Sequence, residues 1–416
     1  MESHSDKRLH GAALALALLL SHATVTAQSV DVAADVPPAA DPATNNALPL
    51  AELREFARVY AGIRASYVDE VDGKRLLHAA TVGMLRALDP HSEYYDAKTL
   101  AEFDQDMRGR YAGIGVEMVT FAGMLQVLAV LEDSPAARAG VLAGDVIESI
   151  DGKPVGANRN DADQLRGPID STIVLRVRRE GRAQPLQISI KRAPVNLPSV
   201  ASQWIEPGIA LVTMRQQVRE RSALELRQHL SALRAKHTLR GLVLDLRGNI
   251  GGVLPAAVSI SDSFLDDGRI VRTRSRLPEL DATFDAHEGD LSHGAAIVVL
   301  VDGMTASAAE LIAAALKDNG RARVVGSRTF GKGSVQTVVP LEGGGAIKLT
   351  TARYFTPKDR SLQAAGVLPD VDLASARTRA QGGAALARVS PDPSDDDPEL
   401  AAALRELRAM MGKSRR

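Results

Sequence analysis

The sequence predicts a multidomain α+β protein with an N-terminal helical segment, a β-rich domain with helices, and a mixed α/β core. A chain of 416 residues is too long for one simple core and suggests two or three domains. Apolar residues recur at helical spacing from Leu50 to Leu88. Alternating apolar and polar residues predict half-buried strands within 108–193, and strand and helix patterns then alternate through 208–371.

Composition excludes several classes of function. The formal net charge of −1 and the 3% aromatic content give no basis for nucleic-acid binding, so we expect no nucleic-acid partner. The chain has no cysteine, and therefore neither a disulfide framework nor a lipid-attachment residue. Neither an HExxH motif nor cysteine–histidine metal spacing occurs, so we expect no metal and no cofactor.

The first residues are typical of an export signal. A basic start at Lys7, Arg8 and His10 precedes the apolar run Ala12–Leu20, which is too short to span a bilayer. Small residues allow cleavage near Ala27. We therefore expect a signal peptide over 1–27, a leader without periodicity over 28–49, and an exported, periplasmic protein; an uncleaved membrane anchor is the alternative.

Residues 50–107 are predicted to form an N-terminal helical region. The second helix must stop before Asp89-Pro90, because proline disfavours helical geometry in the residue before it. His91 follows in a turn, where a lone histidine is more often structural than catalytic.

A glycine loop opens the β-rich domain, which we place at 108–193. The loop reads Tyr111-Ala-Gly-Ile-Gly-Val116, and glycines of this kind allow successive backbone N–H groups to point at an anion. Asp151-Gly152 predicts a hairpin turn between two strands farther along the domain.

The core, placed at 194–374, contains a buried strand followed by a second glycine loop. Leu242-Val-Leu-Asp-Leu246 leads into Arg247-Gly-Asn-Ile-Gly-Gly252, and helical spacing begins at Val253. Gly251 and Gly252 allow the backbone to approach a reacting carbonyl and to offer it an N–H group, which makes them oxyanion-hole candidates. A plain strand-to-helix turn is the alternative.

A serine and a lysine occur together later in the core. Ser307 begins an alanine-rich helix, and Lys332 lies between two glycines after the next strand. A neutral lysine amine can take a proton from a serine hydroxyl once desolvation has lowered its pKa, and Gln336 is placed to orient that amine. Ser307 and Glu310 also fit a simple helix capping box. Gly326–Lys332 fits the start of a phosphate loop, but Gly333 and the strand pattern after it exclude that function.

These motifs resemble the signature of the carboxyl-terminal processing proteases, which are Ser–Lys peptidases of family S41 with a PDZ domain. Thr305-Ala-Ser-Ala-Ala-Glu310 and, 25 positions after the serine, the lysine of Thr329-Phe-Gly-Lys-Gly-Ser-Val-Gln336 carry the resemblance, together with the motifs above and Ser361–Asp370. It covers about Leu50 to Asp372.

The resemblance implies a serine endopeptidase that cuts proteins near their C-terminus after a PDZ domain has bound the tail. Ser307, Lys332 and Gln336 would be catalytic, and Gly251, Gly252 and Ala308 would form the oxyanion hole. The tail would bind the loop residues Tyr111, Gly113, Ile114, Gly115 and Val116, with Arg166 as a candidate for coupling binding to the protease core. Ile250 departs from the family, which usually has proline or glycine there.

The C-terminal part of the chain is predicted to be a linker, 375–397, and a helix, 398–416, amphipathic through Met411, that packs on the body or on another subunit. Three alternatives stay open at this point. They are a non-catalytic PDZ scaffold that binds tails, a resting protease that needs an adaptor protein or a homo-oligomer, and an esterase with the same dyad.

Overall fold

The computed structural model describes residues 48–121, 124–155, 161–214, 216–373 and 397–413. The predicted signal peptide, nearly all of the leader, and the linker up to residue 396 lie outside them. Residues from Pro49 onward form one structural unit.

The helices of the described ranges are α1 Leu50–Ser66, α2 Gly73–Leu88, α3 Ala97–Arg108, α4 Pro135–Arg138, α5 Ser222–Lys236, α6 Leu254–Asp262, α7 Ala308–Asp318 and α8 Pro398–Lys413. The strands are β1 Glu93–Tyr95, β2 Arg110–Gly113, β3 Val116–Phe121, β4 Met124–Val130, β5 Val146–Ile150, β6 Lys153–Pro154, β7 Thr172–Arg178, β8 Leu186–Lys191, β9 Ala193–Asn196, β10 Ala201–Glu206, β11 Ile209–Thr213, β12 Gly241–Asp245, β13 Arg269–Ser275, β14 Ala282–Asp285, β15 Ala296–Val301, β16 Ala322–Gly326, β17 Ser334–Pro340, β18 Ala346–Phe355 and β19 Val371–Asp372. The multidomain α+β class predicted from the sequence is confirmed.

A six-stranded sheet with the order β10-β11-β12-β15-β16-β19 forms the centre of the core. Its strands from β11 onward are parallel, and β10 is antiparallel. Leu242 and Leu244 of β12 pack with α5, α6 and α7 on one face, whereas Val243 packs with α8 on the other. Helices on both faces explain why these strands are continuous apolar runs rather than alternating ones.

The β-rich domain has its own sheet and its own core. Strands β3, β4, β5, β7 and β8 follow one another in the sheet, and β6 pairs with β5. Their inward side chains, among them Val127, Ile147 and Leu175, form a buried cluster separate from that of the core. Next to this sheet, β2 pairs with β9 and brings the start and the end of the domain together.

A second sheet of the core includes residues from the N-terminal region. Its order is β1-β18-β13-β14, with β17 on β18. Glu93 of β1 lies opposite Lys348 of β18 in the antiparallel register. The turn after α2 is therefore fixed to the strand pair that follows Lys332.

Helix α1 has no buried residue, and Leu53, Phe56, Val59 and Ile63 on it are exposed. None of the helices in the described ranges combines the length and the apolar content needed to cross a bilayer.

Candidate active site

Two loops at one edge of the six-stranded sheet carry Ser307 and the predicted oxyanion residues Gly251 and Gly252. The first, 246–253, follows β12, and the second, 302–307, follows β15. Since β12 and β15 are adjacent and parallel, their carboxyl ends meet at the same edge, where α/β sheets commonly form their sites.

Hydrogen bonds join the two loops into one body. The Asp302 carboxylate accepts the N–H of Gly248 at 3.1 Å and that of Thr305 at 2.9 Å. The Ala306 N–H donates to the Asn249 carbonyl at 2.9 Å, and the Thr305 hydroxyl donates to the Leu246 carbonyl at 2.9 Å. A displacement of one loop would therefore move the other.

Ser307 has a strained backbone and a partly exposed side chain. Its φ of 56° is uncommon for a residue with a Cβ, and such conformations cost about 1–3 kcal/mol and concentrate at functional sites. The Ser307 N–H donates to Glu310 Oε2 at 2.7 Å, which is the glutamate half of a capping box. A helix-capping role and a catalytic role are thus compatible at this position.

Glu310 connects the serine to the lysine. Its Oε2 also accepts the Lys332 N–H at 2.8 Å, and its Oε1 accepts the Gly331 N–H at 2.7 Å and the Thr329 hydroxyl. The residue is fully buried, and burial raises the pKa of its carboxyl group while these donors act in the opposite direction. One carboxylate therefore fixes the backbone of both members of the predicted dyad.

The Lys332 side chain lies in an environment that favours the neutral amine. Burial lowers its pKa, and the positive charge of Lys348 acts in the same direction, against smaller opposite effects of Glu93 and Asp89. Within the part of the chain that the structure describes, Lys332 forms no ion pair. His91 belongs to the same cluster, since burial and the charge of Lys332 lower its pKa.

Two further side chains lie around the dyad. The buried Tyr354 hydroxyl donates to the Lys332 carbonyl, and burial raises the pKa of this phenol while a hydrogen bond with the Ser307 hydroxyl acts against the rise. The side-chain nitrogen of Gln336 donates to Ser334 Oγ at 2.9 Å and to Thr350 Oγ1 at 3.3 Å. Neither bond involves Lys332.

The glycine loop lies directly against the serine. A Cβ added to Gly251 would come within 2.6 Å of Ser307 Cβ, and one added to Gly252 would come within 2.0 Å of the Val218 carbonyl oxygen. The Gly251 N–H is occupied, because it donates to Asn249 Oδ1 at 3.0 Å. Among the described residues the N–H groups of Gly252 and Ala308 have no acceptor, so these two are the available donors.

The loop Tyr111–Val116 is closely packed in the β-rich domain. A Cβ on Gly113 would meet the Tyr111 ring at 2.5 Å, and Gly115 has a φ of +82°. The Arg166 guanidinium lies 5.0 Å from the Tyr111 ring centroid. Arg166 therefore contacts the predicted tail-binding loop, and this contact lies inside the β-rich domain.

Comparison with known proteins gives family matches for three segments of the chain. Residues 208–373 match Peptidase family S41, residues 126–179 match a PDZ domain, and residues 14–99 match the activating protease CtpB N-terminal domain. A carboxy-terminal-processing protease of Bartonella bacilliformis is 40% identical over 77% of this chain and 74% of its own length. The chain belongs to peptidase family S41. A carboxy-terminal processing protease CtpA of Bacillus subtilis is 32% identical over 76% of this S41 chain and 67% of its own.

The fold of this S41 peptidase also occurs in a solved structure. An S41 protease structure from Bacteroides fragilis covers 85% of this chain and 97% of its own, with a TM-score of 0.50 and 16% identity, which concerns the fold alone.

Several residues of the S41 site were not found from the sequence. Tyr354, Lys348 and Glu93 come close to Lys332 through strand pairing, for which no local sequence signal exists. Asp302 could have been found, because an aspartate three residues before a threonine is typical of a turn in which the side chain binds following backbone N–H groups.

Proposed function

We propose that this S41 peptidase is a serine endopeptidase that cleaves proteins near their C-terminus through a Ser307–Lys332 dyad. The observation that carries the proposal is the shared carboxylate of Glu310, which binds the backbone of both residues at 2.7 and 2.8 Å. Strain at Ser307 and desolvation of Lys332 support it, since each is costly for stability and useful for catalysis.

The chemistry follows from these positions. Neutral Lys332 takes the proton of Ser307 Oγ as that oxygen attacks the scissile carbonyl carbon. The N–H groups of Gly252 and Ala308 stabilise the negative charge that forms on the carbonyl oxygen. The lysine ammonium then gives the proton to the leaving amine as the C–N bond breaks, and water hydrolyses the resulting serine ester by the same steps. Gln336 orients the amine through its side-chain carbonyl.

The substrate is a protein whose free C-terminal carboxylate binds the backbone N–H groups of the PDZ loop, with Tyr111, Gly113, Ile114, Gly115 and Val116 around it. Ile250, Met304 and Phe330 are exposed and lie within three residues of site residues, which suits contact with an extended apolar segment. The first 27 residues support export to the periplasm. Mass spectrometry of the protein recovered from that compartment tests this, because it shows whether the chain has been cut near Ala27.

Cleavage of an unstructured reporter with a free apolar C-terminus tests the proposal. We expect it to be cut at least about 10-fold faster than the same reporter with an amidated end, because the amide removes the charge that the PDZ loop binds. Ser307→Ala should cut neither reporter and should still bind the free tail. Equal cleavage of both reporters by the unmutated enzyme would contradict tail recognition.

Arg166→Gln tests the contribution of the PDZ loop. Loss of the cation–π contact with Tyr111 is worth about 0.5–1 kcal/mol, so we expect tail affinity to fall about 2- to 5-fold. If Arg166 also couples binding to the core, kcat will fall further at saturating tail concentration. Arg182→Gln, an exposed arginine in a turn of the same domain, is the control in the same fluorescence-anisotropy titration.

An adaptor-dependent or purely tail-binding protein is the second candidate. In the described ranges the Lys332 amine makes no hydrogen bond to Ser307 or to Gln336, whose side-chain nitrogen donates to Ser334 and Thr350, and this favours a resting site that a partner must complete. Exposed apolar residues on α1 support a homo-oligomer or an adaptor as the missing component. Light scattering on the purified protein tests for the homo-oligomer. A gain of activity on adding a candidate adaptor tests for the adaptor.

A further inference from the structure

A guanidinium at the start of the oxyanion loop is held by the C-terminal helix. Arg247 is the second residue after β12 and lies five positions before Gly252. Its side chain is only 15% exposed and reaches the N-terminal end of α8, which is about 150 residues later in the chain. The contact joins the catalytic edge of the sheet to the helix that covers the opposite face from α7.

Three carboxylates surround this one cation. Arg247 donates to Asp245 in a bidentate manner at 3.0 and 2.8 Å. It also donates to Asp397 at 3.1 and 2.8 Å and to Glu399 at 3.0 Å. Burial raises the pKa of Asp397, but the hydrogen bonds from Arg247 and from the N–H groups of Leu400 and Glu399, together with the charge of Arg247, hold that pKa below its ordinary value. Asp397, which caps α8, and Glu399 in its first turn therefore both bind Arg247.

Attachment of the helix does not require this cluster. Leu400, Ala403, Leu404 and Leu407 already pack on the apolar face of the sheet. Two further ion pairs fix the same helix, Glu406 with Arg323 at 2.7 Å and Arg408 with Glu206 at 3.0 Å. Buried ion pairs add little net stability compared with apolar packing, so stability alone does not account for a buried group of three acids around one arginine.

We propose that Asp397 and Glu399 are positioning residues, which hold Arg247 and thereby keep the loop 247–252 against Ser307. The inference rests on the proposed function, because it assigns a role in the geometry of that site. The physical path is short. Arg247 lies at the start of the loop, and Gly248 and Asn249 bind the serine loop. Gly251 lies so close to Ser307 that an added Cβ would come within 2.6 Å of Ser307 Cβ. Without Asp397 and Glu399 the guanidinium keeps only Asp245 among the described residues, on the strand next to it, and the start of the loop is no longer held to α8.

The test is the double variant Asp397→Asn/Glu399→Gln, which removes both charges without changing size. Asparagine still caps a helix as well as aspartate does, so the bonds to the N–H groups of Glu399 and Leu400 can remain. Glu406→Gln/Arg408→Gln is the matched control, because it removes two ion pairs of the same helix away from Arg247.

We expect the first double variant to lower kcat on the free-tail reporter about 10-fold or more, with KM and tail affinity within 2-fold of the unmutated enzyme. Hydrogen exchange in a peptide spanning 246–253 should become faster in this variant and stay unchanged in the control. An unchanged kcat with unchanged exchange, or an equal loss of kcat in both double variants, would overturn the proposal. Hydrogen exchange needs no substrate, so it tests this proposal even if the unmutated enzyme cuts no reporter. The absence of cleavage would count against the proposed function instead.

Discussion

Replacing Lys332 by methionine is expected to reduce tail-dependent cleavage by about 10³-fold or more. The same change should raise the thermal unfolding midpoint by roughly 2–4 °C. Both effects have one cause, which is that folding buries this amine without an ion-pair partner in the described ranges and so disfavours its charged form. Methionine keeps the length and apolar character of the side chain and removes the charge.

The lowered pKa of Lys332 determines how the stability gain of Lys332→Met changes with pH. The folded pKa of Lys332 lies below the ordinary value of 10.5, so the unfolded chain binds more protons between the two values and stability rises with pH in that window. The stability gain of Lys332→Met should therefore be largest at low pH and fade as the pH approaches 10.5. Differential scanning fluorimetry across pH measures it, with the exposed Lys358→Met as the control. A variant less stable than the unmutated protein at every pH would contradict this account.

The cleavage rate of the unmutated enzyme should rise with pH, as the neutral amine forms. Lys348→Met should move this rise to higher pH, because it removes a positive charge that lowers the pKa of Lys332 and leaves the Glu93 carboxylate unpaired beside it.

The second large effect is expected for Glu310→Gln, with kcat/KM falling about 100-fold. Each carboxylate oxygen accepts at least one backbone N–H group, from Gly331 on one side and from Ser307 and Lys332 on the other. An amide NH₂ group placed on either side must face one of these donors. Leaving a buried donor unpaired costs about 1–3 kcal/mol, and the loops can avoid this cost only by moving the serine or the lysine.

Steady-state kinetics and tail binding together test the Glu310 prediction. Tail affinity should stay unchanged, since Glu310 lies in the core rather than in the PDZ domain. Glu342→Gln, an exposed glutamate in a turn of the same core, should behave like the unmutated enzyme. Full activity of Glu310→Gln would mean that the carboxylate is only a helix cap.

The sequence was informative wherever a local pattern determines a local structure. The strand predicted at Leu242–Leu246 is found as β12, Gly241–Asp245, and the glycine pair follows it as predicted. The backbone N–H groups of Ser307 and Lys332 both bind Glu310, which brings the two chain segments together, and the Ser307–Lys332 dyad itself stays a prediction. For Gln336 the structure shows hydrogen bonds of the side-chain nitrogen to Ser334 and Thr350, which the sequence did not predict, next to an irregularity in the pairing of β17.

What the sequence could not predict are contacts between distant segments. The ion pair of Glu93 with Lys348 joins segments 255 residues apart, and neither strand has a sequence pattern that identifies the other as its partner. Asp397 reads as the last residue of a linker, yet it caps α8 and binds Arg247. The occupied N–H of Gly251 depends on the side-chain rotamer of Asn249, which composition and periodicity do not determine.

The position of α8 also has a consequence for biosynthesis. Val243, Val298, Leu300 and Val325 of the central sheet are covered by residues that the ribosome adds only after all the other elements described above. During translation this face of the sheet stays apolar and uncovered, so we expect the nascent chain to bind a chaperone that recognises apolar surface. Asp397 and Glu399 are also synthesised after the loop that they are proposed to position. We therefore expect a chain that still lacks them to be a poor protease.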